Sequence, residues 1–446
     1  MTSRTPGPLV AISAVPTRRL TVPSQAIMPG WSRPRGRPKL DRRAFVLPKR
    51  GSMAKSDGER PARRPMTRLT RAGRDKSLTG PFVNPPVFHA STVLFESVDD
   101  MLGGRQRYVY GRRGTPTIEA LETAIAELEG AAGTVICPSG LNAAATALLS
   151  CLASGDHVLV TDSVYEPIRR LLDRTLAPMG IGTTYFDPRI AGGIEALLQP
   201  NTRAIYLESP GSLTFEMQDI PAIAGAAAKR DILVIADNTW ATPLYFQSLN
   251  HGAHLSVLSA TKHIGGHSDI MLGLVSASER AWGALKRTHG DFGICAGPDD
   301  VNLALRGLRT LAVRLERSAA SAEKVARWLA ARSEVARILF PVLEADPGHA
   351  LWRRDMTGSC GLFGVVLDRW SEARAKAFAD KLTLFGIGAS WGGYESLVIL
   401  SRPEKIRTAV PWHAEGPLLR IYVGLEDPTD LIADLEAAFA RTADIG

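Results

Sequence analysis

Along much of the chain, short unbroken runs of Val, Ile and Leu alternate with longer stretches in which apolar residues return every three or four positions. The first kind reads as a buried strand, the second as an amphipathic helix. TIEALETAIAELEG (117–130) carries an apolar stripe and an acidic outer face, which predicts a helix. GTVICPS (133–139) predicts a short strand, and LNAAATALLSCLAS (141–154) the helix after it. DHVLVTD, TRAIYLESP, ILVIADN and HLSVLSATK predict further strands, with helical VYEPIRRLLDRTLAPMG and IPAIAGAAAKR between them, and IMLGLVSAS follows as another strand. This alternation is the pattern of a mostly parallel sheet covered on both faces.

After about residue 300 the pattern changes. Residues 303–333 predict a helical stretch of roughly thirty residues, bent or broken along its length. VARILFPVL, CGLFGVVLD and LLRIYVGLE predict strands, and EARAKAFADKLTLF and PTDLIADLEAAFARTA predict helices. The expected architecture is α/β: a large domain over residues 114–308 and a smaller C-terminal α/β domain over 309–446, preceded by an arm over 77–113.

The first 76 residues are different in kind. They are rich in Pro, Arg, Ser and Gly and have no sustained apolar period. Such a segment cannot bury enough surface to offset its ordering entropy, so disorder is expected. The chain carries 53 Lys and Arg and 45 Asp and Glu; residues 1–76 hold 19 and 4 of these, leaving 34 against 41. A mildly acidic body therefore follows a very basic leader, and the net charge of +8 says little about what the body binds. Within the leader, RPRGRPK (33–39) resembles an AT-hook, but a solvated Arg/Pro segment is the expected reading and nucleic acid is not an expected partner. Met53 and Met66 are alternative starts, and the many prolines argue against an amphipathic transit peptide. No apolar run reaches the length of a membrane span. The four cysteines show no CxxC spacing and read as reduced thiols, which points to a cytoplasmic protein without a disulfide frame.

Candidate chemistry gathers where the predicted strands end, which is where open α/β sheets bind ligands. Asp237 ends ILVIAD, and 25 residues later Lys262 follows HLSVLSAT. Lysine is seldom buried without a purpose, and its amine is a nucleophile only when neutral, a form that desolvation favours. Ser259 and Thr261 flank it with hydroxyls suited to a phosphate, and Gly140 and Leu141 open a helix whose free N–H groups attract one. Tyr165, just past DHVLVTD, is a candidate to stack on a ring. His263 and His267 have a zinc-ligand spacing only if they share a helix, and Gly265 and Gly266 between them make that helix improbable, so no metal is expected. One cofactor would use all the other parts. Pyridoxal phosphate needs a lysine for its aldehyde, a carboxylate beside its ring nitrogen, an aromatic over its ring, and a helix start with hydroxyls for its phosphate.

From about Asn84 to Ala440 the chain resembles the Cys/Met-metabolism branch of fold-type-I pyridoxal-phosphate enzymes. The segments YGRRGTPT, ELEGAAGTVICPSG, GDHVLVTDSVYEP, LESPGS, ADNTWATPLYF, SATKHIGGHSDIMLG, RGLRTLAVRL, GSCGLFGVVL, SWGGYESL and GLEDPTDLIADL carry the resemblance, in family order. It implies a fold-type-I, transferase-like large domain. It also implies that Lys262 bonds the cofactor, Asp237 pairs with the ring nitrogen and Tyr165 stacks on the ring. Ser259, Thr261, Gly140 and Leu141 would hold the phosphate. Tyr110 and Arg112 of YGRRG would reach the cofactor phosphate of a neighbouring subunit, giving a dimer with shared active sites and, by family habit, a tetramer. Arg420 would bind the substrate carboxylate, and Ser390 and Trp391 would line the substrate pocket. Gly111 and His263 stand where the family commonly has Ala and Tyr, and neither change removes a required group.

Within the branch, Trp391 in SWGGYES and Trp240 in DNTW resemble the β-lyase pattern rather than that of γ-synthases and γ-lyases. The implied reaction is β-elimination of cystathionine to homocysteine, pyruvate and ammonia, a step of methionine biosynthesis. Lys262 would serve as general base, with γ-elimination or γ-replacement as the rival chemistry. A nucleic-acid-binding regulator acting through the leader is the rival from another class.

Overall fold

Seven strands form the larger sheet of the computed structural model, which describes residues 63–445. They are β1 (Gly133–Cys137), β2 (His157–Thr161), β3 (Gly182–Phe186), β4 (Thr202–Glu208), β5 (Leu233–Asp237), β6 (Leu255–Ser259) and β7 (Gly273–Ala277), in the order β1-β7-β6-β5-β4-β2-β3. From β3 to β6 every pairing is parallel, and β7 runs antiparallel to both its neighbours. The central strands are buried along almost their whole length, which is why they read as continuous apolar runs.

A second sheet holds β8 (Val335–Leu339), β9 (Leu362–Leu367), β10 (Gly386–Ile387), β11 (Leu397–Ser401) and β12 (Leu418–Tyr422), in the order β10-β11-β12-β9-β8. It is antiparallel except where β10 joins β11. The helical stretch between the sheets is broken, as expected: Pro298–Leu308 and Leu311–Ala330 are separate helices.

Four differences from the expected elements have physical causes. Residues 65–76 are not disordered, as the expected leader required. Pro65–Arg71 is a helix with Leu69 buried, and Arg309 Nη1 donates to the Leu69 carbonyl at 2.7 Å. The apolar stripe is too short to read alone and becomes visible only against the helices it meets. Residues 1–62 of the leader, including RPRGRPK and Met53, lie outside the described residues. VYEPIRRLLDRTLAPMG is one helical path in three geometries: an α-helix Glu166–Leu171, a π-helical turn Leu172–Leu176 and a 3-10 turn Ala177–Met179. GTTYF forms the edge strand β3, whose half-exposed, polar composition gave no apolar run to find. Finally, Lys262 does not end a strand. β6 stops at Ser259, and the lysine lies in the turn beyond it.

That turn is held by close packing. Gly307, in the helix Pro298–Leu308, faces the carbonyls of Ile264 and Gly265 so closely that a Cβ would strike both. Ala is the better helix former by about 1 kcal/mol, but overpacking here costs about 1–3 kcal/mol. Gly307→Ala should therefore lower the melting temperature despite its helix propensity, as read by thermal denaturation.

Candidate active site

The parallel strands β2, β4, β5 and β6, and β1 beyond β7, deliver polar residues from their C-terminal ends to one cavity of ≈ 340 Å³. Asp237 ends β5, Glu208 ends β4 and Ser259 ends β6. Tyr165 follows β2, and Ser139 with Gly140 follows β1. From the second sheet come Arg420, on β12, and the loop Ala389–Trp391. The volume is that of a small-molecule pocket.

Lys262 is the centre of this arrangement. Its Nζ donates to Ser390 Oγ at 2.7 Å and lies 5.5 Å from the centre of the Trp391 ring. Burial, with the Arg420 guanidinium nearby, pushes the amine down from 10.5 to about 8. Gly392, at φ +93°, packs onto the lysine turn. A Cβ there would sit 2.8 Å from the Lys262 carbonyl carbon and 2.9 Å from the His263 nitrogen. Glycine is needed at this position both for its backbone conformation and for the close approach. His263 is buried, with its ring 5.2 Å from that of Trp391 in an edge contact, and burial pushes it down to about 3. His267 is held by the Gly265 carbonyl. The two histidines share no helix.

Asp237 Oδ1 accepts from the Thr239 N–H at 3.0 Å and the Thr239 hydroxyl at 2.6 Å, while the Tyr206 hydroxyl reaches Oδ2 at 3.4 Å. Burial raises its carboxyl above the ordinary range, and the Thr239 bonds pull the other way. A cationic ring nitrogen beside it would favour the charged form.

Beyond β1, Ser139 caps the helix Gly140–Cys151, its Oγ accepting from Asn142 N at 3.1 Å. The N–H groups of Gly140 and Leu141, the first two residues of the helix, have no carbonyl of the helix to bond. A Cβ on Gly140 would lie 2.7 Å from the Ser259 hydroxyl, so glycine opens the space that an anion would fill. Thr261 lines the cavity, but its hydroxyl is already engaged with Leu272, donating to O at 3.2 Å and accepting from N at 2.9 Å.

Arg420 is buried, and burial pushes it down to about 10. Its Nη2 donates to the carbonyls of Ala389 and Ser390 at 2.9 and 3.2 Å, which fixes one edge of the guanidinium to the loop carrying Ser390. Tyr110 and Arg112 do not line the cavity. Tyr110 is exposed, and Arg112 Nη1 donates to the Gly290 carbonyl at 2.9 Å. The sequence reading missed Ser139, Thr239 and Glu208. For Glu208 the signal was present, because it ends its strand just as Asp237 does.

These residues fit pyridoxal phosphate: an amine of lowered basicity, a carboxylate set for a ring nitrogen, an aromatic, and a glycine-lined helix start beside a free serine hydroxyl. Fold and pocket define a pyridoxal-phosphate-dependent enzyme. A family model, Cys/Met metabolism PLP-dependent enzyme, matches residues 66–440. The chain belongs to that family. It is 48% identical over 381 residues to a putative cystathionine beta-lyase of Rhizobium johnstonii, covering 84% of this chain and 96% of that one. It is 42% identical over 386 residues to cystathionine beta-lyase MetC of Escherichia coli, covering 84% and 98%. Among solved structures, a cystathionine gamma synthase from Xanthomonas oryzae pv. oryzae matches with TM-score 0.80 and 32% identity, over 86% of this chain and 99% of that one.

Between about pH 8 and the ordinary 10.5 the unfolded chain keeps the Lys262 proton and the folded chain does not. This group's contribution to stability therefore rises with pH through that window. In cofactor-free protein, modification of Lys262 by an amine-directed reagent should be half-maximal near pH 8, and Arg420→Met should move that midpoint upward. Peptide mass mapping reads both.

Proposed function

We propose that the protein is a carbon–sulfur lyase that cleaves cystathionine by β-elimination, giving homocysteine, pyruvate and ammonia, as a step in methionine biosynthesis. The observation that carries this reading is the Lys262 amine, desolvated and parked on Ser390 between Trp391 and Arg420. The names of the relatives at 48% and 42% identity support the choice of substrate. When bound, pyridoxal phosphate supplies an electron sink for charge developed at the substrate Cα.

The chain's own groups supply the rest. Arg420, fixed along one edge, offers its other nitrogens to the substrate carboxylate and orients the Cα–H bond toward Lys262. Lys262, its amine pushed down to about 8 so that a fraction is neutral near physiological pH, removes that proton as general base. The same amine, now an ammonium, delivers its proton to the departing sulfur, so no other acid is required. Ser390 Oγ holds the amine between steps. Asp237, kept in place by Thr239, stabilises positive charge on the ring nitrogen. Ser259, Thr261 and the helix start at Gly140 would hold the phosphate, and Tyr165 would stack on the ring.

The exposed apolar side chains Phe82, Val83, Phe88 and Leu94 suit the arm for contact with a second copy, which would carry Tyr110 and Arg112 toward the other subunit's pocket. In this reading residues 114–308 and 309–446 act as large and small domains of each subunit, the dimers pair into a tetramer, and the enzyme works in the cytoplasm.

Purified protein with cystathionine should yield pyruvate. 2-Oxobutyrate instead would sink β-elimination in favour of the γ-type chemistry of the relatives of known structure. Lys262→Ala should lose the visible cofactor band and about 10²–10⁴ or more in kcat. Arg420→Lys should raise KM roughly 10- to 100-fold, since a charged hydrogen-bonding contact is worth about 1.5–3 kcal/mol. Inactive Lys262→Ala and Tyr110→Ala homodimers, mixed and allowed to exchange subunits, should regain activity; no recovery would refute the shared site.

A further inference from the structure

Glu208 lies deep in the cavity and has no part in the steps above. β4 and β5 are parallel neighbours, and Glu208 stands in register with Asp237 at their C-terminal ends. Adjacent strands are about 4.8 Å apart, so two carboxyls share one floor. Glu208 Oε2 accepts the main-chain N–H of Tyr165 at 2.7 Å. That N–H comes where the chain turns from β2 into the helix Glu166–Leu171, and Tyr165 has no side-chain cap there. Its ring remains substantially exposed, 45% by residue. The bond to Glu208 ties Tyr165 itself to the floor of the pocket, across β4, beside a main-chain bond from the Ser212 N–H to the Ser163 carbonyl at 2.9 Å that holds the turn before it.

We propose that Glu208 is a positioning residue for the cofactor ring, fixing the Tyr165 main chain above the strand end that presents Asp237. The proposal rests on the reading of the cavity as a pyridoxal-phosphate site. It also assigns the charge between the two carboxyls. Like charges this close in a buried site do not both ionise cheaply. Asp237 has donors from the Thr239 N–H and hydroxyl and from the Tyr206 hydroxyl, against the Tyr165 N–H and the Ser212 side chain at Glu208, and takes the charge. Burial, and then Asp237 itself, hold the Glu208 carboxyl well above its ordinary range, so it is the neutral partner. A neutral carboxyl still accepts the Tyr165 N–H, and a glutamine amide oxygen does the same in nearly the same shape.

Wild type, Glu208→Gln and Glu208→Met separate the roles. The readings are visible absorption, visible circular dichroism of the holoenzyme, and the Kd for pyridoxal phosphate added to the resolved protein. Glu208→Gln should match wild type. Glu208→Met, similar in length but without an acceptor, should weaken cofactor binding about tenfold and change the visible dichroism, because the Tyr165 N–H loses its partner. Should Glu208→Met fail to fold, Glu208→Ala, which admits water, carries the same comparison. A role in folding alone would lower the melting temperature and leave the dichroism unchanged. That outcome overturns the proposal, and so does a Gln variant as damaged as Met. Absence of any cofactor band in wild type would instead overturn the reading of the site on which the proposal rests.

Discussion

The close approach of Gly392 to the Lys262–His263 peptide is the contact on which the site depends. It brings a loop of the second sheet against the turn that follows β6. Without it the amine would face water with the basicity of any surface lysine. With it, the same loop supplies Ser390 as a hydrogen-bond partner, Trp391 as a wall, and two carbonyls that hold Arg420. Tyr422, also on β12, donates its hydroxyl to Gly393 O at 2.8 Å, and Ser268 bonds Glu395, so the loop is pinned at several points. Desolvation of the lysine is therefore a property of the joint between two sheets.

A second requirement follows from concentrating charge at strand ends. Asp237, Glu208, Lys262 and Arg420 all lose water in one small cavity. The arrangement is tolerable because each has a distinct compensation: Thr239 for Asp237, a main-chain N–H for Glu208, Ser390 for Lys262 and carbonyls for Arg420. A bound cofactor would bring a cationic ring nitrogen to the carboxylates and a phosphate to the helix start, completing what the protein alone leaves partly balanced.

Much of this was legible in the chain. The central strands announce themselves because they are buried on both faces, and the strand-end rule then singles out Asp237 and the segment holding Lys262. β3 was not legible, since a half-exposed polar strand lacks an apolar run, whereas β11, LVILS, carries such a run and was passed over. The helix Pro65–Arg71 was hidden inside a basic stretch, because its one fully buried apolar residue, Leu69, has meaning only against its neighbours. Glu208 was passed over although it ends its strand as Asp237 does; what the sequence could not show is that the two stand in register.

The sequence by itself determined the class of fold, the lysine and the carboxylate, and through the order of its motifs the family. These are encoded by local periodicity and by residue types that chemistry uses sparingly. Tertiary structure alone decided which groups share a charge, that the Thr261 hydroxyl is already engaged, and that Tyr110 and Arg112 stand away from this chain's own pocket. Hydrogen-bond partners and desolvation depend on residues more than a hundred positions apart, as Lys262 and Ser390 are, and no local pattern can carry that information.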